Sequence, residues 1–202
     1  MKIKSVPILL MCFFSVLIWS AVRPHDYFTW FLEVLPAIVG FVILFATYSK
    51  FQFTTLVYIL ILLHAIILMI GGHYTYAQEP IFNWLKDFFG WKRNYYDRLG
   101  HFSQGFVPAL IVRELLLRTS PLKRGKWLIS IVLSVCLAIS VLYELFEWLM
   151  SVLTGTAADA FLGTQGDVWD TQWDMMFALM GAITALLFFA RLHDKCLKPI
   201  LK

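Results

Sequence analysis

The chain has 202 residues, of which 60% are hydrophobic and 15% charged, with a mean hydropathy of +0.73. Soluble domains carry roughly 25% charged residues, so composition excludes an ordinary water-soluble protein and leaves no room for a second domain of usual size. The reading is a single integral membrane domain over 1–202. The formal net charge of +4 sums two unlike faces and implies no nucleic-acid partner.

From the N-terminus, Lys2 and Lys4 precede an apolar run that ends near Ala21. Ile18 and Trp19 are poor residues for a signal-peptidase site, so this is read as an uncleaved first span. A spanning helix needs roughly 17–25 apolar residues. The apolar stretches lie at about 5–22, 31–49, 53–71, 101–118, 127–149 and 173–190. The expected fold is an all-α polytopic bundle of about six transmembrane helices. The fourth span is unusual in carrying Gln104, Arg113 and Glu114, with Pro108 in its middle. Between the third and fourth spans, Ile81, Phe82, Trp84, Leu85, Phe88, Phe89 and Trp91 form one apolar face behind Pro80, which predicts an amphipathic helix lying in the membrane interface. Between the fifth and sixth, Ser151–Gln172 has three glycines and neither Lys nor Arg. It reads as an acidic loop folding back over the mouth of the bundle. Cys12, Cys136 and Cys196 form no CxxC pair and suggest no disulfide framework.

Threading six spans through a bilayer separates the charges. Twelve of the 17 Lys and Arg fall on the side of the termini, and 11 of the 13 Asp and Glu on the other. The bias of basic residues places both termini in the cytoplasm. Ionisable groups at membrane-embedded helix ends are costly and usually functional, and three such groups converge on the acidic side. Asp97 and His101, four apart, share a helix face, as do Glu144 and Glu147, three apart. Asp167, Asp170 and Asp174 fall on one stripe at the start of the last span, with Asp159 upstream. Glu33 enters the second span from the same side. His73, Tyr76 and Glu79, following the third span, are the expected substrate contacts.

So many carboxylates cannot all ionise together without a cation. Asp97, His101, Glu144, Glu147, Asp167, Asp170 and Asp174 are a donor set suited to Zn²⁺, Mg²⁺ or Mn²⁺. Such a metal could activate water or polarise a phosphoryl oxygen. Alternatively His101, Glu144, Glu147, Asp170 and Asp174 could run acid–base chemistry without one. Structural roles compete. Asp97 can cap its helix, Asp167 and Asp170 can complement a helix dipole, and Glu144 and Glu147 can pair with Arg93 or Arg98. His64, mid-span, reads as a hydrogen-bonded packing residue, and Arg113–Glu114 as a local charge pair.

The blocks Tyr96-Asp-Arg-Leu-Gly-His-Phe102, Tyr143-Glu-Leu-Phe-Glu-Trp148 and Gly163-Thr-Gln-Gly-Asp-Val-Trp-Asp-Thr-Gln-Trp-Asp-Met175, with His73-Tyr-Thr-Tyr76, closely resemble the YjdF-type family, bacterial inner-membrane proteins of unknown function. The resemblance runs over nearly the whole chain. It implies a multi-pass inner-membrane protein and supplies no reaction. A looser similarity is to VanZ-like membrane proteins. Asp97 and His101 match their first block, Glu144 or Glu147 the second, and Asp174 with Gly181 the third. Ala178 stands where those proteins carry Asn, and the Arg usual before the third block is missing. That similarity implies a shared polar core and not glycopeptide resistance.

Three functions fit these features. The first is an enzyme, metal-dependent or not, acting on a lipid-linked substrate or envelope precursor in the lipid bilayer. The second is a small cation transporter or binding protein, against which the sparsely polar cytoplasmic half counts. The third is a non-catalytic assembly partner or sensor docking through the acidic loop. Oligomeric state is not legible.

Overall fold

The computed structural model describes residues 6–155 and 159–201, with the side chains of 159 and 160 left aside. Lys2, Lys4 and Lys202, on which part of the charge bias rests, lie outside the described residues, as does the Asp159 side chain.

Most described residues are helical, and none of them forms a strand. The elements are α1 (Val6–Ala21), α2 (Tyr27–Thr47), α3 (Thr55–Tyr74), a 3₁₀ turn (Tyr76–Gln78), α4 (Pro80–Phe89), α5 (Tyr96–Thr119), α6 (Lys126–Thr154), a single turn α7 (Asp159–Leu162), and α8 (Asp170–Thr184). A π-helical stretch, Ala185–Phe189, carries α8 directly into α9 (Ala190–Leu197). Four helices are long and apolar enough to cross a membrane: α2, α3, α6 and the continuous 170–197 run. Against the expectation of about six spans, four helices meet both criteria among the described residues, with α1 and α5 beside them. Of the other two, α1 is apolar and is described over the 16 residues Val6–Ala21. α5 has 24, about 36 Å at 1.5 Å per residue, and fails on polarity. It is the central helix, packed on α8, α6 and α3. Asp97, Arg98, His101, Ser103, Arg113 and Glu114 are all buried, so its charges face protein rather than lipid.

The close packing of α5 on α8 is written in small residues. A methyl group added at Gly105 would lie 1.7 Å from the Ala178 carbonyl oxygen, and one at Gly181 would lie 2.0 Å from that of Phe102. The two backbones touch, as small residues allow between membrane helices. This contact brings the N-terminal turns of α5 and α8 together at the acidic end.

Helix starts are set locally. The Asp26 carboxylate accepts from the Thr29 amide at 2.7 Å and opens α2. That amide hydrogen bond holds the Asp26 carboxyl below the ordinary aspartate range. The Glu79 carboxylate opens α4 by accepting from Phe82 N at 2.7 Å. α4 ends at Gly90 in the left-handed conformation (φ 66°), a position glycine fills without strain. None of its residues is buried, and Ile81, Trp84, Phe88 and Phe89 are exposed, as an interfacial amphipathic helix requires.

The basic end holds a buried polar knot. Arg113 and Glu114 do not pair with each other, because adjacent helical side chains diverge. Arg113 Nη2 bonds Asp194 at 2.6 Å and Nη1 bonds His193 Nδ1 at 3.2 Å. Glu114 accepts from Thr54 N (2.9 Å), Thr54 Oγ1 (2.8 Å), Arg118 Nη1 (2.8 Å) and His193 Nε2 (2.9 Å). A guanidinium only donates, so His193 accepts at Nδ1 and donates from Nε2 to Glu114. The knot ties the α2–α3 connection, α5 and α9 together. Glu114→Ala strips the shared acceptor from three buried donors and from the half-buried Arg118, and a loss of roughly 3–5 kcal/mol is expected. Thermal melts in detergent should show a large drop for Glu114→Ala and none for the exposed Lys123→Ala.

Candidate functional site

At the acidic end, the chain before α5 and the loop before α8 clamp each other. Asn94 N donates to Gln165 Oε1 at 3.0 Å, and Gln165 Nε2 donates back to Asn94 O at 2.9 Å. The side-chain amide thus pairs with the backbone as a neighbouring strand would. Gln165 is held at φ 47°, a strained value for a residue with a side chain. Arg93 adds Nη1 to Thr164 O and Nη2 to Gly163 O, both at 3.0 Å. This fixes the acidic loop over the bundle mouth and aims Asp167 and Asp170 inward.

Two arginines carry the counter-charge. Arg93 Nη1 lies 2.5 Å from Asp170 Oδ1 and 3.6 Å from Asp167 Oδ2, and Nη2 lies 3.6 Å from Asp97 Oδ2. Arg98 Nη2 lies 2.5 Å from Asp170 Oδ1 and 3.5 Å from Asp167 Oδ2. Its Nη1 lies 3.1 Å from Asp97 Oδ2 and bonds Asp174 Oδ1. Among the described residues these arginines pair with aspartates and not with Glu144 or Glu147. The relief of repulsion expected from a cation is thus partly built into the protein.

His101 is buried against this network. Nε2 lies 3.3 Å from Asp97 Oδ1 and 3.6 Å from Asp174 Oδ1. On its other side, Nδ1 lies 3.1 Å from Gln104 Oε1 and 3.6 Å from Glu144 Oε1. Glu147, one turn beyond Glu144, is buried on the same face of α6. Glu33 of α2 completes the floor, beside the hydroxyls of Tyr76 and Tyr143. Glu33 Oε2, Glu144 Oε1 and the Tyr143 hydroxyl are buried with no hydrogen-bond partner among the described residues. An unpaired buried carboxylate is costly unless it takes up a proton or a cation.

The aspartates, His101 and Glu144 therefore occupy one site. Asp97, His101 and Asp174 can each offer one ligand atom, all within 4.8 Å of one another. Asp167, Asp170, Glu144 and Glu147 lie outside that three-residue group. Arg98 contacts both Asp97 and Asp174, so its positive charge stands against the oxygens a metal would use.

The three expected substrate contacts are placed differently. His73 is engaged away from the cluster: its Nδ1 lies 3.0 Å from Ser20 O, and its ring is 4.5 Å from that of Trp19. It ties α3 to α1. Glu79 caps α4. Tyr76 alone reaches the site, with its ring packed into the space left by Gly71 and Gly100 and its hydroxyl toward Glu33. His64 lines a separate apolar cavity of about 530 Å³ among α1, α2, α3 and α5. Its Nε2 has no hydrogen-bond partner among the described residues, contrary to the expected bonded packing role.

Sequence reasoning missed the arginine network and the Asn94–Gln165 clamp. Arg98 directly follows Asp97, a spacing that points neighbours apart in mid-helix, yet in the first turn of α5 both reach α8. Gln165 carried no signal beyond its place in the third motif block.

Beside the cluster, a cavity of about 570 Å³ opens between α4, α5 and α8, with Arg98 and Asp167 in its wall. Its remaining lining is aromatic apart from Leu99.

Comparison with known proteins agrees with a membrane fold. The family model described as "Predicted membrane protein (DUF2238)" matches residues 6–195. The chain is 49% identical over 183 residues to the inner membrane protein YjdF of Escherichia coli (strain K12), covering 91% of this chain and 88% of that protein. No solved structure matches.

Proposed function

The chain belongs to the predicted membrane protein family DUF2238, and on that footing we propose that it is a multi-pass bacterial inner-membrane enzyme. Its acidic end transfers protons on the head of a lipid-borne envelope precursor. Both termini face the cytoplasm, and the acidic end lies at the outer boundary. The observation that carries this reading is His101, buried between Asp97 and Asp174 on one side and Glu144 on the other.

In that setting His101 can pass a proton between its two ring nitrogens' partners. Asp97 and Asp174 orient the imidazole and stabilise its charged form. Glu144, with one oxygen unpartnered, is the group free to give or take the proton. Glu147 and Glu33 are further buried carboxyl groups of the cluster. Arg93 and Arg98 set fixed positive charge against the aspartates. The basic-end polar groups favour this over transport, because Glu114, His193 and Arg113 are closed on one another rather than lining a route.

A metal-assisted variant is favoured by one observation, the spacing of Asp97, His101 and Asp174. There those three residues would hold a divalent ion, which would supply Lewis acidity.

The test uses cells lacking the chain, restored with the parent or with His101→Gln. Loss of a positioned acid–base group typically costs 10²–10⁴-fold in rate. A lipid-linked species that builds up equally in the null and in His101→Gln, and clears with the parent, supports the enzyme. Identical lipid profiles in all three strains contradict it.

A further inference from the structure

From the aromatic cavity between α4, α5 and α8 we infer a binding site for an ammonium-bearing phospholipid headgroup. This rests on the proposed function for its biological meaning and names that site's substrate class.

Phe82, Trp91, Tyr95 and Trp173 line the cavity together with two further phenylalanines. Ring faces attract ammonium groups, most strongly when water is excluded. Trp91 and Tyr95 meet edge to face at 5.3 Å, so their rings turn different surfaces to the space. Two charged groups share the wall. The Asp167 side chain is 28% exposed, against 5% for Arg98, so the carboxylate is the more accessible charge. The Arg98 charge is largely spent on Asp97, Asp170 and Asp174. An incoming headgroup thus meets aromatic faces and a carboxylate first, which select a cation.

The charge distribution agrees. By the threading above, the acidic end holds 11 carboxyl groups and five basic residues, a bias that repels an anionic lipid. Entry is from the membrane rather than from water. Trp173, Met176 and Met180 are exposed along α8, offering apolar surface for the lipid's chains. Free ethanolamine lacks the chains, so the occupant is the lipid.

Native mass spectrometry on detergent-purified protein tests this, with phosphatidylethanolamine and phosphatidylglycerol of equal chain length offered in equal amounts. The parent should retain phosphatidylethanolamine in preference by about thirtyfold, the scale of a desolvated cation–π contact. Trp173→Leu and Asp167→Asn should each erase the preference while melting near the parent temperature. His101→Gln should keep it. Free ethanolamine should not displace the lipid at equal concentration. Equal retention of both lipids by the parent, or a preference surviving both substitutions, would overturn the inference. A preference kept by His101→Gln in cells whose lipid profile never changes would leave this site standing and remove the enzyme reading instead.

Discussion

Arg98→Leu is expected to give protein that fails to accumulate in the membrane, or that melts far below the parent. Arg98 is 4% exposed and its guanidinium meets Asp97, Asp167, Asp170 and Asp174. Removing one partner of a buried ion pair typically costs roughly 3–5 kcal/mol, because the remaining charge stays buried. Here several carboxylates lose the same partner. A folded domain has only about 5–15 kcal/mol in hand, so this single change reaches the threshold. Arg98→Lys keeps the charge but loses the planar fork that serves several acceptors at once, and its melting temperature should fall between the two. Thermal unfolding in detergent, followed by helical circular dichroism, checks the order parent, Lys, Leu. A Leu variant as stable as the parent would mean that the aspartates do not depend on Arg98.

Gly105→Leu is the second change with a large expected effect, and it acts without touching a charge. Even a methyl group at this position meets the Ala178 carbonyl at 1.7 Å. The obstacle is backbone, so α5 and α8 must separate. Overpacking a core typically costs about 1–3 kcal/mol, occasionally more. Separation here also withdraws Asp170 and Asp174 from Arg98 and His101, so the cost should exceed that range. Gly40→Ala is the matched control. It lies within α2 with nothing inside 4 Å of the added carbon, and a helix gains up to about 1 kcal/mol from that exchange. Melting temperatures should fall steeply for Gly105→Leu and hold or rise for Gly40→Ala.

These two residues mark where the sequence stopped being readable. Helix positions followed from apolar runs because lipid leaves few alternatives to a helix. The acids were legible because charges at embedded helix ends are rare. Asp97 with His101 and Glu144 with Glu147 needed only helical spacing, and the structure seats His101 between Asp97 and Glu144. Arg98 was not legible as a hub, because which helix lies beside α5 depends on Gly105 and Gly181, whose spacing across two distant segments carries no local signal. His73 and Glu79 were drawn toward the site by their depth alone. Depth says nothing about direction: His73 turns to Ser20 and Glu79 to the start of its own helix. The basic-end knot was hidden similarly, since His193 is 80 residues from its partner Arg113.

The most direct test of a proton-transfer site with its counter-charge supplied by arginine is the metal content of detergent-purified protein, measured by mass spectrometry beside an Asp97→Asn variant. The proposal predicts zinc, manganese and magnesium each well below one equivalent per chain, unchanged by Asp97→Asn. One equivalent of a single metal in the parent, lost in Asp97→Asn, would contradict it and assign Asp97, His101 and Asp174 to metal binding.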